Sequence, residues 1–202
     1  MTDPPPGGPA PADDAMVIAE SLVDPDRFAV LFDRHAPVIH RYAGRRAGPQ
    51  AADDLVAETF LAAFRRRGSY DQSYRDARPW LYGIATNLIS QHRRDEIRQI
   101  RIRQAVVPEQ DHPGHGDRVA ADVTAGAMRG LLTAALAGLG AGDRDVLLLI
   151  AWEQLTYDET ACALGIPVGT VRSRLNRARS VLRATLASTG AAGTLREILN
   201  ND

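Results

Sequence analysis

The chain has 202 residues with 24 basic and 25 acidic side chains and a 45% hydrophobic fraction, which suits one large or two small soluble domains. A formal net charge of −1 excludes attraction to nucleic acid by overall charge, and the single cysteine, Cys162, excludes an intramolecular disulfide framework. No apolar run is long enough to cross a bilayer, and the opening MTDPPPGGPAPADD lacks the basic and apolar regions of a signal peptide, so a cytoplasmic protein without membrane insertion is expected.

Charge is segregated along the chain. The segment before Arg27 carries Asp3, Asp13, Asp14, Glu20, Asp24 and Asp26 and no base, the stretch from Arg65 to Arg103 is arginine-rich, and acids return after Gln104. Residues 1–26, rich in Pro, Gly, Ala and Asp, are expected to form a disordered acidic leader. A first helical domain is expected over 27–104. In it Phe28, Leu31, Phe32, His35, Ile39 and Tyr42 keep helical spacing, with Pro37 expected to kink or divide that helix. After the break GRRAGPQ, a second helix puts Leu55, Val56, Phe60, Ala63 and Phe64 on one side and Asp53, Asp54, Glu58 and Leu61 nearer the other. A polar connection, Gly68–Arg78, leads to a long helix opening at Pro79. Leu81, Ile84, Ala85 and Leu88 form its inward stripe, and Gly83, Asn87, Ser90 and Arg94 form an outer strip small enough for close approach.

Residues 105–127 have no period and several Pro and Gly, and read as a flexible linker. A smaller helical domain is expected over 128–187, with helices over Met128–Leu139 and Arg144–Trp152 followed by a helix–turn–helix. Residues 188–202 form a tail of no evident role. The fold class is therefore all-α: two small helical domains joined by a flexible linker, the C-terminal one a helix–turn–helix.

The helix–turn–helix carries the strongest signal. Its first helix, Tyr157–Leu164, stops at Gly165, and Pro167 stands where a second can begin. Val171, Leu175, Ala178 and Leu182 then mark one apolar stripe, so that Arg172, Arg174, Arg177, Arg179 and Arg183 point away from it. A permanently charged, forked donor suits phosphate oxygens and the O6/N7 edge of guanine, so the second helix reads as a major-groove recognition helix. A solvated basic helix is the plainer alternative.

Three blocks in this order resemble the extracytoplasmic-function (ECF) sigma factors, members of the sigma-70 family of bacterial RNA polymerase. DDLVAETF (Asp53–Phe60) is similar to the signature of conserved region two, with Ala57 where glutamine is usual. PWLYGIATNLISQHRR (Pro79–Arg94) is similar to the promoter-melting helix. Asp143–Leu186 follows the C-terminal domain almost phrase by phrase, although LGAGD (Leu139–Asp143) replaces the usual Leu-Pro step and Thr160 stands where isoleucine is common.

The resemblance implies a sigma factor that binds core RNA polymerase, directs it to promoters by recognising −35 and −10 elements, and melts the latter. It implies that Asp53, Asp54, Leu55, Glu58 and Thr59 face the beta-prime coiled coil, short acids beside an exposed apolar side chain suiting a basic partner helix. Capping of their own helix by Asp53 and Asp54 is the plainer role. For the −10 element it implies a pocket for a flipped base, with Tyr70, Tyr74 and Trp80 able to stack, Asn87 able to donate and accept, and Arg93 and Arg94 on the backbone. Trp80 is as readily a core anchor. For the −35 element it implies Thr170, Arg172, Ser173, Arg174, Arg177 and Arg179 in the major groove, with this domain touching the beta flap. It leaves an anti-sigma factor open. No cofactor, metal or catalytic residue is implied, and the chain is not expected to be an enzyme. A stand-alone helix–turn–helix regulator would explain Tyr157–Leu182 but leave Asp53–Phe60 without purpose. A metalloenzyme built on His112 and His115 has little support, because both lie in the linker without a nearby cysteine.

Overall fold

The computed structural model describes residues 13–106, 130 and 134–187, and among them every regular element is helical. The contacts divide the chain into two compact units, one built mainly on residues up to Arg93 and the other mainly on those after it.

The first unit opens with α1 (Asp14–Ser21), whose N-terminus is capped by Asp13 Oδ1 accepting the Met16 amide at 2.9 Å. A 3-10 turn, Pro25–Phe28, leads into α2 (Ala29–Ala47). The chain then turns at Gly48, whose φ of 90° lies where only glycine is at ease, and Pro49 opens α3 (Pro49–Arg66). A second 3-10 turn, Arg67–Ser69, and a polar loop precede α4 (Arg78–Val106).

Most of the positions predicted to turn inward are buried: Leu31, His35, Ile39 and Tyr42 of α2, Leu55, Val56, Phe60 and Ala63 of α3, and Leu81, Ile84 and Ala85 of α4. Phe32 is exposed and Phe64 and Leu88 are half-buried, while Ala52 and Ile89 join the core. Edge-to-face pairs fix their rotation: Phe28 on Phe64 at 5.3 Å, Phe32 on Phe60 at 4.8 Å and Tyr42 on Tyr82 at 5.2 Å. The hydroxyls of Tyr42 and Thr86 lie 2.8 Å apart, and Arg46 Nη1 donates to Tyr42 at 2.7 Å, so these two bonds link Thr86, Tyr42 and Arg46 within the core.

Two expectations are corrected here. The leader does not run to residue 26, because α1 packs: Val17 and Ile18 are buried, and Asp14 is buried beneath a set of donors. Arg34 donates to Asp14 Oδ1, while Asp14 Oδ2 lies 2.7 Å from His35 Nε2 and accepts the Ala77 amide at 2.9 Å. An acidic residue in a leader looked like a solvation signal; it is the point where α1, α2 and the loop before α4 meet. Pro37 does not divide α2 either. It removes one helical N–H, but its ring faces solvent, and Leu31, His35, Ile39 and Tyr42 hold one buried face across it.

In the second unit residues 134–137 are helical, followed by α5 (Ala141–Ala151), α6 (Tyr157–Leu164) and α7 (Val168–Ala187). The turn that lacks the usual Leu-Pro step is held by Arg144, whose guanidinium donates to the carbonyls of Leu136, Ala137 and Leu139 at 2.8–3.0 Å. Thr156 and Glu159 form a capping box on α6: the Thr156 amide donates to Glu159 Oε2 at 2.7 Å and Thr156 Oγ1 accepts the Glu159 amide at 3.2 Å. Gly165, at φ 61°, ends α6 with the Ile166 amide donating to the Ala161 carbonyl at 3.1 Å. Thr160 is fully buried and its hydroxyl has no hydrogen-bond partner among the described residues. The linker histidines His112 and His115 and the tail 188–202 lie outside the described residues, as do most of the linker and the first residues of the second domain.

Candidate nucleic-acid interface

In the second unit the stripe Val171, Leu175, Ala178 and Leu182 is buried, so the other faces of α7 carry its arginines. Arg172, Ser173 and Arg177 are exposed, while Thr170, Arg174 and Arg179 are half-buried. All six residues assigned to the −35 element thus lie off the buried stripe, with no acid anywhere on α7. Two of the arginines lean on the first turn of α5. Arg177 Nη1 donates to both oxygens of Asp143, at 3.1 and 3.3 Å. The Arg174 guanidinium lies across Gly142 so closely that a Cβ there would sit 2.6 Å from Nη1. Neither Asp143 nor Gly142 stood out in the sequence, because a contact between residues more than thirty positions apart leaves no local pattern.

In the first unit the outer face of α3 carries Asp53, Asp54, Glu58 and Leu61, spaced so that they share one side of the helix. Leu55 and Thr59 do not belong to it. Leu55 is 4% exposed and Thr59 is fully buried, with Oγ1 donating to the Leu55 carbonyl at 2.6 Å. Both fall in step with Ala52, Val56 and Phe60 and so turn to the core. The exposed apolar side chain beside the acids is Leu61, at 48% exposure, with Phe32 of α2 also exposed at 43%. Capping does not account for Asp53 and Asp54 either, since α3 opens at Pro49 and no side chain caps it. His40 Nε2 lies 3.1 Å from Asp53 Oδ1, whereas Asp54 makes no hydrogen bond or ion pair among the described residues.

The residues assigned to the −10 element separate into two groups. Tyr74, Asn87 and Arg94 are exposed and Trp80 is half-buried. Tyr70 is buried, its ring 4.9 Å from that of Trp80, and its hydroxyl donates to the carbonyls of Tyr74 at 2.7 Å and Asp76 at 3.3 Å. Burial, with the charges of Asp14 and Asp76, drives the Tyr70 hydroxyl pKa well up, so it stays protonated and a donor. Tyr70 therefore shapes the loop from beneath and offers no free face for stacking. Arg93 is likewise turned inward, Nη2 donating to the Arg46 carbonyl at the end of α2. Of the outer strip on α4, Gly83 is buried and Ser90 half-buried. Asp71 accepts the Ser73 amide at 3.0 Å, which holds its carboxyl below the usual range and pins the exposed loop as an Asx turn.

Asp14, His35 and Asp76 bring three potential metal-ligand atoms within 4.8 Å of one another. The Asp14 oxygens, however, are already taken by Arg34, His35 and the Ala77 amide, and the Arg34 cation stands where a metal charge would be repelled. The cluster is a closed ion-pair hub.

Two family models match: Sigma-70 region 2 over residues 31–99, and Sigma-70, region 4 over residues 129–182. The ECF RNA polymerase sigma factor SigL of Mycobacterium tuberculosis is 39% identical over 162 residues, covering 79% of this chain and 89% of that one. Among solved structures, CnrH in complex with the cytosolic domain of CnrY is similar with a TM-score of 0.60 at 27% identity, over 87% of this chain and 97% of that one. The sigma factor RpoE of Bartonella quintana, in complex with the anti-sigma factor NepR, shares the fold with a TM-score of 0.57 at 24% identity, over 79% of this chain and 96% of that one.

Proposed function

The chain belongs to the ECF sigma factors of the sigma-70 family, and on that premise we propose how its residues divide the work of promoter recognition. As a sigma factor it binds core RNA polymerase, directs it to promoters through their −35 and −10 elements and melts the latter. A stand-alone regulator is not favoured, since region 2 is matched as well as the helix–turn–helix.

In this reading the α3 strip Asp53, Asp54, Glu58 and Leu61 meets the beta-prime coiled coil: acids set register against a basic helix while Leu61 supplies apolar contact. The loop over 68–78 and the start of α4 take the opened non-template strand. Tyr74 and Trp80 offer ring faces, Asn87 offers an amide, and Arg94 meets phosphate, with Tyr70 and Arg93 holding the backbone behind them. Unstacking a base costs a few kcal/mol, which stacking and edge hydrogen bonds must return, so melting needs no bond cleavage. The sigma factor family is in general not enzymatic. Arg172, Arg174, Arg177 and Arg179 of α7, with Thr170 and Ser173, enter the −35 major groove, and this unit also meets the beta flap. Core polymerase works in the cytoplasm, and so does this chain.

The observation that carries the reading is α7 itself, with its apolar stripe buried and arginines on its remaining faces. Transcription in vitro with core polymerase and a library of random upstream DNA tests it. Enrichment of a two-part promoter is expected; failure to start RNA chains on any template refutes it.

A further inference from the structure

We propose that Asp143 is a positioning residue for −35 recognition, fixing the Arg177 guanidinium so that its free edge reads one base pair. This rests on the reading of α7 as the recognition helix.

The geometry is asymmetric in a telling way. The Asp143 side chain is 12% exposed and sits in the first turn of α5, where the helix N-terminus favours a carboxylate, while the Arg177 side chain is 63% exposed. A fixed, nearly buried anion thus holds the end of a long, exposed cation. An arginine left free at this position would lose its rotamer freedom on meeting DNA; one already held loses less. The hold uses a single nitrogen. Both Asp143 oxygens accept from Nη1, and Nε and Nη2 make no bond among the described residues. Nε and Nη2 form one edge of the guanidinium fork, the edge that can donate in parallel to guanine O6 and N7.

The carboxylate also biases what Arg177 chooses. Phosphates attract any free cation and carry no sequence information, whereas base edges reward correct placement. Partial neutralisation by Asp143 weakens the first attraction more than the second. Asp143 therefore contributes to discrimination more than to overall affinity. The neighbouring contact supports this arrangement, because Gly142 leaves the Arg174 guanidinium room to lie against the same turn. Two arginines one helical turn apart are registered on one backbone segment.

The test is promoter-complex formation by the full chain with core polymerase on templates carrying every single −35 substitution. Wild type, Asp143→Asn, Arg177→Ala and the double variant are compared. Asp143→Asn is expected to relax base preference by about tenfold at the same base pair as Arg177→Ala, and to add nothing in the Arg177→Ala background. Base preference is a ratio within one preparation, so a partly unfolded sample does not imitate the effect. Equal weakening on all templates, a change at a different base pair, or full additivity in the double variant overturns the proposal. Should Arg177→Ala itself leave every preference intact, the assignment of Arg177 to the groove falls first. A shift with Arg177→Ala and none with Asp143→Asn removes the positioning role alone.

Discussion

His35 Nε2 lies 2.7 Å from Asp14 Oδ2, and this buried contact fastens α1 to α2. Arg34, the Ala77 amide and the Asp76 carboxylate surround the same carboxyl, so three segments far apart in sequence converge on one charge. Burial alone would raise the Asp14 pKa, but the hydrogen bonds from His35 and Ala77, the charge of His35 and the bond from Arg34 together hold it below the ordinary value. A carboxyl with a depressed folded-state pKa contributes stability that is present above its unfolded pKa and lost as pH falls through the folded one. The N-terminal unit is therefore expected to lose stability on acidification below about pH 4, where unfolded aspartates begin to protonate. Asp14→Asn should cost about 2 kcal/mol near neutral pH, allowing for the partial exposure of Arg34, and its difference from wild type should shrink toward pH 2. Urea titrations across this range check both statements, and a pH-independent difference contradicts them.

Leu55 and Leu61 separate core from surface on one helix. Leu55→Ala opens a cavity and should cost about 2–4 kcal/mol of stability. Leu61→Glu leaves packing alone and is expected to keep the melting temperature within about 2 °C while weakening core polymerase binding at least tenfold. Thermal melts and a pull-down with core polymerase decide the matter; unchanged binding by Leu61→Glu removes Leu61 from the interface.

Much of the architecture was legible as periodicity. The stripes of α3 and α7 are buried where their spacing put them, and Gly48, Gly165 and Pro167 end or begin helices where their backbone chemistry requires. What could not be read were choices made by distant partners. Asp14 reads as part of a solvated leader, yet Arg34, His35 and the Ala77 amide surround its carboxyl. Tyr70 looked like an exposed stacking platform, but its hydroxyl is spent on two loop carbonyls. Leu55 is the opposite case: helical spacing put it on the apolar side with Val56 and Phe60, and its burial upholds that spacing over the surface role the resemblance implied. Asp143 and Gly142 acquire meaning only from arginines on another helix.

The roles of Tyr70 and Tyr74 should separate in the same way. Tyr70→Phe removes the donor for the Tyr74 and Asp76 carbonyls and is expected to cost about 1 kcal/mol of stability. Tyr74→Ala removes a ring that is 44% exposed, so open-complex formation should fall by about 1–3 kcal/mol of stacking, roughly five- to hundredfold. Permanganate footprinting of the melted region, set beside thermal denaturation, distinguishes them. A Tyr74→Ala variant that opens promoters normally places the stacking elsewhere.

Thr160 buries a hydroxyl with no hydrogen-bond partner among the described residues, a state that costs free energy without compensation. Thr160→Val replaces it with a methyl of similar shape and is expected to stabilise the C-terminal unit by about 1 kcal/mol. −35 binding should not change, because Thr160 is buried in α6 and every residue assigned to the −35 element belongs to α7. A lower melting temperature would mean that the hydroxyl is hydrogen-bonded in solution.

Gly142 opposes stability and recognition within one residue. It occupies the first turn of α5, where alanine would be favoured over glycine by up to about 1 kcal/mol. A Cβ at this position, however, would stand 2.6 Å from Arg174 Nη1 and 2.9 Å from Cζ, a contact no side chain tolerates. The obstructing group is the end of a flexible arginine, so it can swing away without disturbing the core. Gly142→Ala is therefore expected to match or exceed wild type in melting temperature while losing −35 discrimination by roughly 1 kcal/mol, about fivefold, as Arg174 leaves its place. Arg174→Ala should lose at least as much, and the two substitutions should not add. Binding measured on matched and mismatched −35 duplexes, with melts on the same preparations, tests the pairing. Full discrimination in Gly142→Ala would show that Arg174 reaches DNA without resting on α5.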